Sequence, residues 1–137
     1  MSGFTPEMAR RALDENFAPW VLDLGLEVVE TGADHVLTRM PLTDRLARIG
    51  GIVSGQALAA MADTSMGLAG SSARGVFTPF ATTNLDTQFL RPGSGSAILC
   101  RATVVRQGKA LTFARAEMTA EDSGKPVATA TATLYAP

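Results

Sequence analysis

The chain has 137 residues, 46% of them apolar, and a net charge of −1 with both signs scattered along it. That length suits one domain with a substantial core and is short for two, and the charge leaves no basic footprint for nucleic acid. No apolar run is long enough to span a bilayer; the single Cys100 has no internal disulfide partner, and His35 as the only histidine disfavours a zinc site, a Ser-His-Asp triad or a Cys-His dyad within one protomer.

The opening Met1-Ser2-Gly3-Phe4 lacks the basic-then-apolar order of a signal peptide, so a cytoplasmic protein without a membrane partner is expected. Thr5-Pro6-Glu7 starts a helix over about 5–17, with Thr5 as cap and Pro6 at the first helical position. Trp20-Val21-Leu22 reads as a short apolar plug before Gly25. Residues 26–30 and 35–40 read as two strands joined by Thr31-Gly32-Ala33-Asp34, with His35 structural. A loop from Pro41 to Gly51, carrying Asp44, Arg45 and Arg48, leads into the stretch on which the rest of the chain depends.

That stretch is a long helix over about 53–72, rich in Ala, Leu and Met and poor in β-branched residues. Ser54 is its expected N-cap, and Gly70 to Gly75 is expected to close it. Apolar residues occupy nearly every face, so the helix should be buried on most sides, which so short a chain achieves with cover from more than one protomer. Asp63 stands in this setting, where a carboxylate without a partner is costly.

Beyond Pro79 the period falls to two. A Thr-rich strand over 80–90 ends at Arg91-Pro92-Gly93. A long hairpin follows over 97–106 and 110–119, and after Ser123-Gly124-Lys125 comes a last strand over 127–135. Its Ala/Thr alternation places small residues on one face, where a helix can approach closely. Cys100, inside an apolar strand, is expected to be an inert buried thiol. The whole chain, 1–137, is one α+β domain in which four strands follow the long helix.

That order, with Gly-Ile-Val-Ser-Gly-Gln-Ala-Leu-Ala-Ala-Met-Ala-Asp-Thr-Ser-Met-Gly-Leu-Ala at its centre, resembles the hotdog-fold thioesterases of the phenylacetate-pathway (PaaI-like) type. The resemblance covers nearly the whole chain and implies an antiparallel sheet of five to six strands wrapped around the central helix. Its most specific parts are the acid nine residues after the helix start, the segment from Thr82 to Pro92, and the turn Arg106-Gln107-Gly108-Lys109-Ala110-Leu111, similar to a coenzyme A-contacting turn of the family. Two positions depart from the pattern. Ser54-Gly55-Gln56 stands where the family commonly has His-Gly-Gly, and Arg48 where it often has Asn.

The activity this resemblance implies is hydrolysis of an acyl-coenzyme A thioester to the free acid and coenzyme A. The chemistry needs donors for a developing oxyanion and a group that attacks the carbonyl or activates water. The free N–H groups of Gly55 and Gln56 at the helix start suit the first. Asp63, where desolvation beside an apolar helix is expected to favour base chemistry near neutral pH, suits the second as general base or nucleophile. Gly55 and Asp63 are eight positions apart, about 12 Å of axial rise, too far to share one carbonyl. Each site would therefore combine Asp63 of one chain with the helix start of another, in a dimer or dimer of dimers. Thr82 or Thr83 would orient the water, Thr82 being the better match to the family. Arg48, Thr83, Arg91, Arg106, Gly108 and Lys109 would hold coenzyme A, Arg being suited to bidentate phosphate contact. No metal and no cofactor beyond the substrate's own coenzyme A is implied.

Competing readings are a non-catalytic acyl-coenzyme A binding or sensing module on the same fold, a hydratase, and a purely structural oligomer. The hydratase is disfavoured because no histidine follows Asp63, and the structural oligomer because it leaves the acid unexplained. Ser54 serves better as an N-cap than as a catalytic group.

Overall fold

A computed structural model describes residues 3–137; Met1 and Ser2, the first residues of the stretch read for a leader, lie outside the described residues. Helix α1 (Pro6–Asn16) begins as its sequence dictates, with the Thr5 hydroxyl accepting the Met8 N–H at 3.2 Å. Arg10 donates to the Val28 carbonyl at 2.8 Å and ties α1 to the sheet. One turn of helix, α2 (Pro19–Leu22), follows. Only Val21 of the expected apolar plug is buried. Trp20 is 61% exposed, because a single turn has one inward side and Val21 occupies it.

Six strands, β1 (Glu27–Thr31), β2 (His35–Pro41), β3 (Ala81–Phe89), β4 (Ala97–Gln107), β5 (Leu111–Ala120) and β6 (Pro126–Tyr135), form one antiparallel sheet in the order β1-β2-β4-β5-β6-β3. The period-two patterning sets its faces. In β5, Thr112, Ala114, Ala116, Met118 and Ala120 turn inward; in β6, Ala130, Ala132 and Leu134 do the same while Thr131 and Tyr135 face out. The long helix α3 (Gly55–Arg74) packs on this inner face, chiefly against β4, β2 and β5 and less against the Ala/Thr alternation of β6. This is the α+β hotdog architecture expected, with six strands. No helix among the described residues is long and apolar enough to cross a membrane.

Two details of α3 refine the sequence expectation: it closes at the last residue of the stretch from Gly70 to Gly75, running two residues beyond the expected 72, and one chain covers more of it than expected. The helix runs to Arg74 and ends at Gly75, whose φ of 77° is the left-handed conformation glycine tolerates. Gly70 is therefore inside the helix and does not close it: its missing side chain admits the Phe80 ring, whose nearest atom would lie 2.6 Å from a Cβ there. The second detail concerns burial. One sheet covers most of α3 by itself, leaving a partly open stripe at Gln56, Ala59, Ala60, Asp63, Gly67 and Arg74, the spacing of one helical face.

Beside that stripe runs β3, the edge strand, exposed along almost its whole length. An uncovered edge of nine residues is a template for pairing with another strand. At the opposite side of α3, Thr38 and Ser65 share a hydrogen bond of 2.8 Å in the core. Cys100 lies beside them, and burial pushes its thiol up to about 12, in keeping with an inert cysteine. His35 hydrogen-bonds Glu30 at 2.6 Å, a structural contact of the β1–β2 hairpin that holds the Glu30 carboxyl below the usual carboxylate range.

Candidate active site

Asp63 sits at the middle of α3 on the open stripe, half-buried rather than enclosed. Nothing in a single chain seals it. Its Oδ1 accepts a hydrogen bond from the Thr82 hydroxyl at 2.7 Å. A β-bulge explains why Thr82 and not Thr83 makes that bond. The β3–β6 register shifts between Thr82 and Asn84, so Thr82 pairs with buried Leu134 and shares its inward face. Thr83, the extra residue, donates instead to the Thr133 carbonyl at 3.1 Å and is engaged within its own sheet.

The Asp63–Thr82 pair stands at the mouth of a pocket of about 410 Å³. Its polar lining also includes Asn16, Thr64 and Thr78, and its apolar lining includes Phe17, Phe77 and Phe80. Sequence reading missed Asn16 and these phenylalanines as site residues, Phe17 falling at the end of the expected helix and Phe80 at the start of the expected strand. The signal available was the pair Gly67 and Gly70 inside a long helix, where glycine costs roughly 1 kcal/mol relative to alanine. Gly70 receives the Phe80 ring, and a Cβ at Gly67 would meet nothing within 4 Å.

The start of α3 opens a different recess, of about 300 Å³, lined by Arg48, Gly55, Phe89 and Arg91 among others. Phe89 lies over Gly55 so closely that a Cβ there would come within 3.3 Å of the ring. Gly55 and two of the arginines singled out from sequence thus share one recess, and Asp63 with Thr82 another. The helical rise of about 12 Å between Gly55 and Asp63 stands in the folded chain.

Ser54 and Gln56 turn to a third recess, of about 290 Å³, beside Trp20 and Arg45. The Ser54 hydroxyl accepts the Ala57 N–H at 3.1 Å, the bond of an N-cap. Ser54→Ala is therefore expected to cost about 1 kcal/mol of stability, seen as a lower urea midpoint, with turnover per folded molecule within tenfold of the parent. A far larger loss of turnover than of stability would move Ser54 from cap to chemistry.

The remaining basic residues lie elsewhere. Arg106 stands near the end of β4, paired with Phe113, and Gly108 and Lys109 form the β4–β5 turn, closed by the Gly108 N–H on the Leu111 carbonyl at 2.7 Å. The pairing row Thr82–Leu134–Thr112–Gln107 puts that turn three strands from Thr82, about 14 Å across the sheet. The same turn lies at the end of the sheet that holds Ala81, level with it through Tyr135 and Leu111, whereas Arg48 and Arg91 cluster at the Phe89 end. A single chain does not bring the two basic groups together.

Comparison with known proteins gives consistent findings. The family model described as "Acyl-CoA thioesterase N-terminal domain" matches residues 45–135. A protein of Thermoplasma acidophilum named as a candidate esterase is 29% identical over 91 residues, 66% of this chain and 68% of that one. Among solved structures, a conserved protein of Pseudomonas aeruginosa is similar with a TM-score of 0.82 at 27% identity, over 90% of this chain and 98% of its own. A hypothetical thioesterase protein of Streptococcus pneumoniae, solved with coenzyme A, has a TM-score of 0.73 at 20% identity over 80% of this chain and 84% of its own, a likeness of fold alone.

Proposed function

Because the chain belongs to the family of the acyl-CoA thioesterase N-terminal domain, we propose that it is an acyl-coenzyme A thioesterase acting as an oligomer with shared sites. The observation that carries this reading is Asp63: a carboxylate on the one open stripe of an otherwise buried helix, oriented by Thr82, at the mouth of a pocket large enough for an acyl group. In this role Asp63 takes a proton from the attacking water and passes it to the departing thiolate, or attacks the thioester carbonyl itself to form a mixed anhydride that water then hydrolyses, restoring the carboxylate and supplying the thiolate's proton. The N–H groups at the start of the partner's α3 stabilise the oxyanion. Coenzyme A then departs as the thiol and the acyl group as the acid. Arg48 and Arg91 from one chain, with Arg106, Gly108 and Lys109 from another, hold the nucleotide end. The exposed edge of β3 runs beside both recesses, so a second copy pairing there brings one chain's Gly55 toward the other's Asp63. The Ser-Gly-Gln start in place of His-Gly-Gly makes this a variant of the PaaI-like type, in which serine keeps the capping bond and the backbone donors remain.

The test is release of free coenzyme A from a panel of short, medium, long and aromatic acyl-coenzyme A thioesters. Turnover of at least one class supports the reading. Absence of turnover with retained binding and a raised melting temperature would assign the chain to the non-catalytic acyl-binding alternative.

A further inference from the structure

We infer that the pocket beside Asp63 takes a medium-length apolar acyl group, up to about eight carbons, and that Phe80 is the residue that ends it. The inference rests on the thioesterase reading for its ligand and on pocket geometry for its limit.

Asp63, Gly67 and Gly70 are at i, i+4 and i+7 and so lie in line on one face of α3. Asp63 is at the open end. Gly67 forms a floor with nothing within 4 Å of where a side chain would begin, so the groove stays open along the helix. It closes at Gly70, whose surface the Phe80 ring covers, and the Arg74 guanidinium stacks on that ring 5.0 Å from its centroid. Phe17 and Phe77 line the same pocket. From Asp63 to Gly70 the helix advances about 10 Å. An extended alkyl chain with C–C bonds of about 1.5 Å advances roughly 1.25 Å per carbon, so about eight carbons fill the groove. A sixteen-carbon chain, at about 20 Å by the same measure, meets the Phe80 ring halfway. Phe17 precedes the segment matched by the family model, residues 45–135, so one wall of the pocket comes from a part of the chain outside that match.

The experiment measures affinity by calorimetry for a series of 2-oxoalkyl-coenzyme A thioethers from two to sixteen carbons. These carry a methylene between sulfur and carbonyl, so binding is read without turnover, and hydrolysis of the matching thioesters is measured beside it. In the parent, affinity rises by about fourfold per added methylene and stops rising near eight carbons. Phe80→Ala moves the limit to longer chains. Gly67→Leu, in which a good helix former fills the floor, keeps or raises the melting temperature and shortens the limit to four carbons or fewer. Affinity that climbs unbroken to sixteen carbons in the parent, or a limit unmoved in both variants, overturns the assignment. A length limit that shifts as described without any thioester hydrolysis upholds the pocket while removing the thioesterase reading.

Discussion

Asp63→Asn is expected to lower coenzyme A release by two to four orders of magnitude, the range for loss of a general acid–base group, with binding of substrate analogues within a fewfold of the parent. Asparagine keeps the shape and can still accept the Thr82 hydrogen bond, and Asp63 is half-buried on an open stripe, so the fold should be retained. The measurement is steady-state release of coenzyme A with circular dichroism as a folding control. Thr82→Val, which removes the donor that fixes the carboxylate, should cost about tenfold, as expected for a positioning contact worth about 1.4 kcal/mol. Full activity in Asp63→Asn would remove this carboxylate from the chemistry and leave the pocket as a binding device.

The second large effect is complementation between two dead variants. Gly55→Val places a side chain against the Phe89 ring and should close the recess at the helix start, leaving Asp63 untouched. Alone, this variant and Asp63→Asn should each be inactive. After mixing under conditions that exchange subunits, half the dimers are hybrids, and each hybrid holds one site with an intact Asp63 facing an intact Gly55. Recovery of about a quarter of parental activity follows from two-fold pairing. Phe89 is exposed and able to yield to the valine, so loss of folding is not the expected outcome. No recovery despite demonstrated exchange would show that each chain works with its own groups, contrary to the separation of Gly55 and Asp63 along the helix.

Much of this architecture was legible in residue order. The Ser54 cap, the Thr5-Pro6 start and the period-two strands depend on contacts within a few residues, and each is found where local chemistry put it. The helix end was legible only to within the stretch from Gly70 to Gly75, because the two glycines look alike in sequence. Only packing against Phe80 makes one an interior glycine and the other a cap. Asp63 stood out because a single acid interrupts an apolar helix, and that signal is local too. Its pocket did not stand out, since Asn16, Phe17, Phe77 and Phe80 come from segments on either side of α3 that meet only after folding.

The sequence by itself determined the elements, the α+β class, and which residue types were available for thioester chemistry, since periodicity, capping and composition act over short range. Tertiary structure decided what those residues face. It put Thr82 on Asp63 through a bulge no composition reveals. It sent Ser54 and Gln56 to one recess and Gly55 to another, though the three are consecutive, because Ser54 is still extended backbone, in which alternate side chains share a side, and the helix begins only at Gly55. It also divided the basic residues between the two ends of β3, leaving an exposed edge between them, because a sheet of six strands that does not close must end somewhere.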